Sequence, residues 1–92
     1  MRKFMIEREI PSVGSLERTE MKAAAAKSNE ALAELAPDVQ WVQSYVTGDR
    51  TFCVYIATDE DAVRRHAEIS GFPANRILEI RRTIDPTTSR TG

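Results

Sequence analysis

The chain has one cysteine, one histidine and one tryptophan among 92 residues. A single cysteine, Cys53, excludes an internal disulfide framework, and no Cys-x-x-Cys or His-x-x-x-His pair offers ready metal-ligand spacing. There is no Gly-rich phosphate loop and no nucleophile elbow. No apolar run approaches the roughly 20 residues of a membrane span. The start, MRKFMIEREIP, is basic, but acidic residues interrupt it before a signal-peptide core can form. Charge of one sign is lacking too: 14 acidic and 13 basic residues leave a net −1. That balance excludes a broad basic field for nucleic acid. These absences point to a cytoplasmic protein with no membrane or nucleic-acid partner.

What is present is an ordinary globular composition, 41% hydrophobic and 29% charged. It is enough for a single domain spanning 1–92, with a core over about 3–85 and a flexible polar tail from Asp85. Residues 3–10 alternate, with Phe4, Ile6 and Ile10 on one parity and Met5, Glu7 and Glu9 on the other, the pattern of a half-buried strand. Arg8 breaks the apolar row and is expected to hold its head in water. Residues 15–36 change to helical spacing through Leu16, Met21, Ala24, Ser28, Leu32 and Leu35, with Ser15 as N-cap and Pro37 as the stop. Residues 39–47 and 51–58 read as a hairpin around Gly48-Asp49, with Gly48 in the positive φ of a type II′ turn. A second helix opens at Thr58 in a Thr58–Asp61 capping box. Its inward stripe is Ala62, Val63, His66, Ala67, Ile69 and Ser70, and Gly71 closes it. Residues 77–84 supply the last strand. The order β-α-β-β-α-β predicts a ferredoxin-like α+β fold: a four-stranded sheet, order 4-1-3-2, with both helices on one face.

Parity then sorts the strand residues. Phe4, Ile6, Val42, Val46, Phe52, Val54, Ile56, Leu78 and Ile80 are expected to face the helices. The uncovered face is expected to carry Met5, Glu7, Glu9, Trp41, Gln43, Tyr45, Cys53, Tyr55, Ala57, Ile77, Glu79 and Arg81. A one-residue slip or bulge would flip any of these sets. Such a face is too apolar for bare water and predicts a homodimer interface. Its charges either pair with each other, Glu7 or Glu79 with Arg81, or enclose a metal or small ligand. RNA is disfavoured because Glu7 and Glu9 would repel phosphate, and Thr51–Tyr55 lacks the Gly-Phe-Gly-Phe pattern of RNA-recognition domains. His66 on its helix stripe reads as a packed histidine, with a metal role open. Cys53 reads as a buried thiol. On this parity Cys53 and His66 meet only through a second subunit.

Several stretches carry a resemblance: IEREIP at 6–11, AAKSNEAL at 25–32, WVQSYVTGD at 41–49, CVYIATDEDAVRRHAEISGFPANRI at 53–77 and IDPTT at 84–88. Together they resemble a bacterial family of small ferredoxin-like proteins that includes nickel-binding members. The resemblance implies a dimer and a nickel cofactor. The motif positions with donor atoms are Glu7, Asn29, Tyr45, Cys53, Tyr55 and His66. Glu7, Cys53 and His66 are the expected metal ligands. Asn29, Trp41, Tyr45, Tyr55, Glu79 and Arg81 are expected at a ligand site or interface. The rival readings are an enzyme with a pocket between sheet and helices, using Glu7 and Tyr55 as acid and base, and a ligand-sensing module of the same topology.

Overall fold

The computed structural model describes residues 1–90. Four strands run as β1 (Arg2–Glu9), β2 (Val39–Val46), β3 (Arg50–Ala57) and β4 (Arg76–Ile80), with α1 (Arg18–Leu35) after β1 and α2 (Glu60–Ser70) after β3. The sheet is antiparallel throughout, in the order β2-β3-β1-β4. This is the ferredoxin-like arrangement that the element order dictates, with β1 and β3 as the central pair.

Helix starts lie later than the sequence cues indicate. Ser15 belongs to a short 3-10 turn, Val13–Ser15, and α1 begins at Arg18 with Glu17 as its N-cap. There the Glu20 carboxylate accepts the Glu17 N–H at 3.2 Å, the return half of a capping box that Ser15 cannot make. Helix α2 is capped by Asp59, not Thr58: its carboxylate accepts the Ala62 N–H at 2.9 Å. Gly71 ends α2 at φ 77°, where a side chain would be strained, and donates to Ala67 O at 3.0 Å. The β2–β3 hairpin closes through Thr47 N–H to Arg50 O at 2.9 Å. Gly48 does not take the expected positive φ. The tight glycine is Gly14 instead, whose added Cβ would fall 2.5 Å from Thr47 O. Residues Pro86–Arg90 of the tail form an exposed 3-10 turn.

The register corrects the expected parity on three strands. Phe4 faces Tyr55, Ile6 faces Cys53 and Arg8 faces Thr51 across the central pair. Phe4 and Ile6 are fully buried, so the helix side of β3 is Thr51, Cys53, Tyr55 and Ala57. Phe52, Val54 and Ile56 face outward. On β4, Ile77 lies opposite Ile6 and Glu79 opposite Phe4, which turns Leu78 and Ile80 outward. On β2, Val39 and Trp41 face the core, then a bulge between Trp41 and Gln43 resets the alternation so that Ser44 lies opposite Cys53. The reason is compositional. Strand β3 is apolar on both parities, so its hydrophobic pattern leaves the face unspecified. Packing against the helices selects the set whose small members, Cys53 and Ala57, leave room for Val63 and Ala62 of α2 in the core cluster.

Candidate functional site

A half-open cavity of about 540 Å³ lies on the helix side of the sheet, under the first half of α1. Its wall is mostly apolar: Leu16 from the segment before α1, Met21, Ala24 and Ala25 from α1, Trp41 and Val46 from β2, and Phe72 and Pro73 from the loop before β4. Arg8, Glu9, Ser28, Ser44, Thr51, Cys53 and Tyr55 are the polar residues of the lining.

Arg8 is the residue that the strand pattern misplaces. The row Phe4, Ile6, Arg8 points inward to its end, and Arg8 is only 2% exposed. Its Nη1 donates to Pro73 O at 2.7 Å and its Nη2 makes a long contact with Tyr55 Oη at 3.4 Å. Its guanidinium also lies over the Phe72 ring, 5.7 Å from the centroid. Among the described residues no carboxylate lies within ion-pair distance of it.

Tyr55 and His66 stack in a tilted pair with centroids 4.9 Å apart. Burial raises the Tyr55 phenol above its ordinary pKa, with neighbouring Cys53 adding to the rise and Arg8 opposing it. Burial likewise lowers the His66 imidazole, and Arg8 pushes the same way. The ring is therefore neutral at pH 7. Its Nε2 lies 3.2 Å from Ser28 Oγ and 3.4 Å from Ser28 O, while Nδ1 is buried without a partner. Cys53 is buried, with Sγ 3.6 Å from Thr51 Oγ1.

The residues singled out by sequence divide between two faces. Cys53, Tyr55 and His66 share the helix side, so Cys53 and His66 need no second subunit to stand in one layer. Trp41 joins them, with Nε1 donating to Ser44 Oγ at 3.0 Å. Glu7 lies on the open face, opposite Phe52, and pairs with Arg50 at 2.8 Å; Glu9 joins the same guanidinium at 3.0 Å. Glu7 is thus separated by the sheet from Cys53, His66 and Tyr55, and an acid–base pair of Glu7 with Tyr55 cannot form within one chain. Tyr45 is exposed on the open face and accepts from Gln43 Nε2. Glu79 sits on the helix-side register of an edge strand and pairs with exposed Arg2 at 2.6 Å, which holds its carboxyl below the ordinary range. Neither Glu7 nor Glu79 pairs with Arg81, which is exposed beyond β4, and Asn29 is exposed on α1.

Nickel takes imidazole, carboxylate or thiolate. The neutral imidazole with an open Nδ1 is suited to such a role. Yet among the described residues no three His, Cys, Asp or Glu side chains are grouped to hold a metal ion. The donor set of a single chain does not by itself make a metal shell, and Arg8 adds positive charge on the helix side.

The fold and the composition of this site define a small ferredoxin-like domain with a half-open cavity on the helix side and an uncovered sheet face. The chain belongs to the SCO4226-like family, described as nickel responsive protein SCO4226-like, whose model matches residues 4–80. Among solved structures, the crystal structure of SCO4226 from Streptomyces coelicolor A3(2) is similar, with TM-score 0.75 and 16% identity over 89% of this chain and 99% of that one. At that identity the likeness shows the fold alone. No curated protein matches. No helix among the described residues is long and apolar enough to cross a membrane.

Proposed function

We propose that this protein binds nickel and does so as a homodimer joined through the open face of the sheet. The observation that carries the reading is the family match over residues 4–80, with its nickel-responsive description. The open face supports the dimer. Phe52, Ile56, Leu78 and Ile80 turn outward on it, Val54 shares their parity but is itself buried, and Leu78 and Tyr45 are 44% and 54% exposed. No helix covers this surface, and uncovered apolar surface of this kind favours association. Glu7 is the proposed metal ligand that lies on this face. Two copies would bring two Glu7–Glu9 pairs, with their Tyr45 phenols, toward one interface and so supply oxygen donors that one chain lacks. Cys53 and His66 are the remaining proposed ligands, on the helix side. Bound nickel would supply a doubly charged centre that neutralises the gathered carboxylates. The test is calorimetry on untagged protein with Glu7→Gln, Cys53→Ala and His66→Ala. Weakened binding in Glu7→Gln alone assigns nickel to the open face. Weakened binding in Cys53→Ala and His66→Ala assigns it to the helix side.

A further inference from the structure

We infer that the cavity under α1 binds a small apolar molecule bearing one carboxylate, with the carboxylate held by Arg8. A guanidinium that is 2% exposed has lost most of its water, and a buried charge is costly unless something opposite in sign meets it. Arg8 has a carbonyl, a phenol and a ring, but no carboxylate. Glu9, the one acidic residue among the described residues that line the cavity, is engaged by Arg50 at 3.0 Å and makes no ion pair with Arg8. Lys27 adds a second cation on the same Phe72 ring, 5.2 Å from its centroid. Arg8 therefore carries a positive charge that no carboxylate among the described residues meets, beside a largely apolar cavity of about 540 Å³, a size typical of small-molecule sites.

The shape of the charge selects the ligand. Arg8 has five N–H donors, and two groups engage it, so the planar fork keeps donors for a planar two-oxygen acceptor. Tyr55 Oη, already beside Nη2, can donate its own proton to the same carboxylate. One buried guanidinium balances one negative charge. A phosphomonoester, near −2 at neutral pH, would leave an excess with few further donors to meet it. The rest of the ligand lies against Leu16, Met21, Trp41 and Phe72, which accept hydrocarbon and offer little to a polar body. The cavity lies on the opposite side of the sheet from Glu7, so its occupancy and nickel binding at the open face are read separately.

Trp41 is the chain's single tryptophan and lines the cavity, which gives the test its probe. Untagged protein is titrated with octanoate and with octanol, following Trp41 fluorescence and amide chemical shifts. Octanoate should bind saturably, and octanol, with the same chain and no charge, roughly ten- to a hundredfold more weakly, the span of a charge-assisted hydrogen bond. Arg8→Met should bring octanoate down to the level of octanol. Ala24→Phe, which fills the cavity and leaves Arg8 in place, should abolish both. Equal affinity for the two ligands overturns the inference. So does the absence of any octanoate-induced shift, or octanoate binding that is unchanged in Ala24→Phe. The wild-type comparison and Ala24→Phe decide the matter if Arg8→Met does not fold.

Discussion

His66 shows how much a single side chain can tie together. Its ring is fully buried between α1 and β3, bonded to Ser28 on one side and stacked on Tyr55 on the other. Burial lowers its pKa below the value it has in the unfolded chain, about 6.5. The unfolded chain therefore takes up a proton between that value and the lower folded one, and the folded chain resists it. Stability follows: the contribution is intact above pH of about 6.5 and is lost as pH falls below it. Urea midpoints measured from pH 7.5 to pH 5 should fall for the wild type. In His66→Gln the slope over that interval should be flatter. An equal slope in the two proteins would mean that His66 takes up its proton in the fold as it does in the unfolded chain.

At the scale of elements, the two helices differ in how they are held. Leu35 of α1 is buried in the core cluster, and Leu32 is only partly buried against it. Leu35→Ala should cost about 2–5 kcal/mol in chemical denaturation, and Leu32→Ala less than Leu35→Ala. A change below about 1 kcal/mol at Leu35 would mean that α1 is not anchored there. Asp59→Ala should cost about 1 kcal/mol by removing the α2 cap, whereas Thr58→Ala should cost little. Element order, the hairpin, the αL end of α2 at Gly71 and most of the α2 stripe were legible in the sequence because each has a local cause. Ile69 was an exception; it is 43% exposed at the stripe's edge. Strand parity was legible on β1, where Phe4 and Ile6 are buried as expected, but not on the other three strands. Phe52, Val54 and Ile56 outweigh Cys53, Tyr55 and Ala57 in hydrophobicity, so a rule that sends the more apolar set inward chooses the wrong face. The bulge at Trp41–Gln43 leaves no composition signal at all. Arg8 escaped for a related reason: its parity always pointed inward, but its partners, Pro73 and Tyr55, lie 65 and 47 residues away.

The whole molecule is asymmetric in a way that the strand error hid. One side of the sheet is closed by helices over a cavity that holds a cation; the other is open, apolar and edged by Glu7, Glu9 and Arg50. The uncovered face keeps Tyr45, loses Trp41, Cys53 and Tyr55 to the helix side, and gains Phe52 and Leu78, with Val54 buried on the same parity. Leu78→Glu and Tyr45→Glu should each shift the protein toward monomer in sedimentation velocity at micromolar concentration. Trp41→Ala should not, because Trp41 faces the helix side. A wild-type protein that sediments as a monomer would remove the shared interface and, with it, the doubled set of oxygen donors.

The measurement that bears most directly on the account is isothermal calorimetry of nickel with untagged protein, at neutral pH and again near pH 5. Saturable binding at neutral pH is the expected result, and it should weaken at the lower pH, because the ligands must be deprotonated to coordinate. Glu7→Gln should reduce the affinity while leaving the urea midpoint close to that of the wild type, since its pair with Arg50 is partly solvated and contributes little to stability. No nickel heat at neutral pH would contradict the proposed function, and undiminished affinity in Glu7→Gln would contradict its placement on the open face.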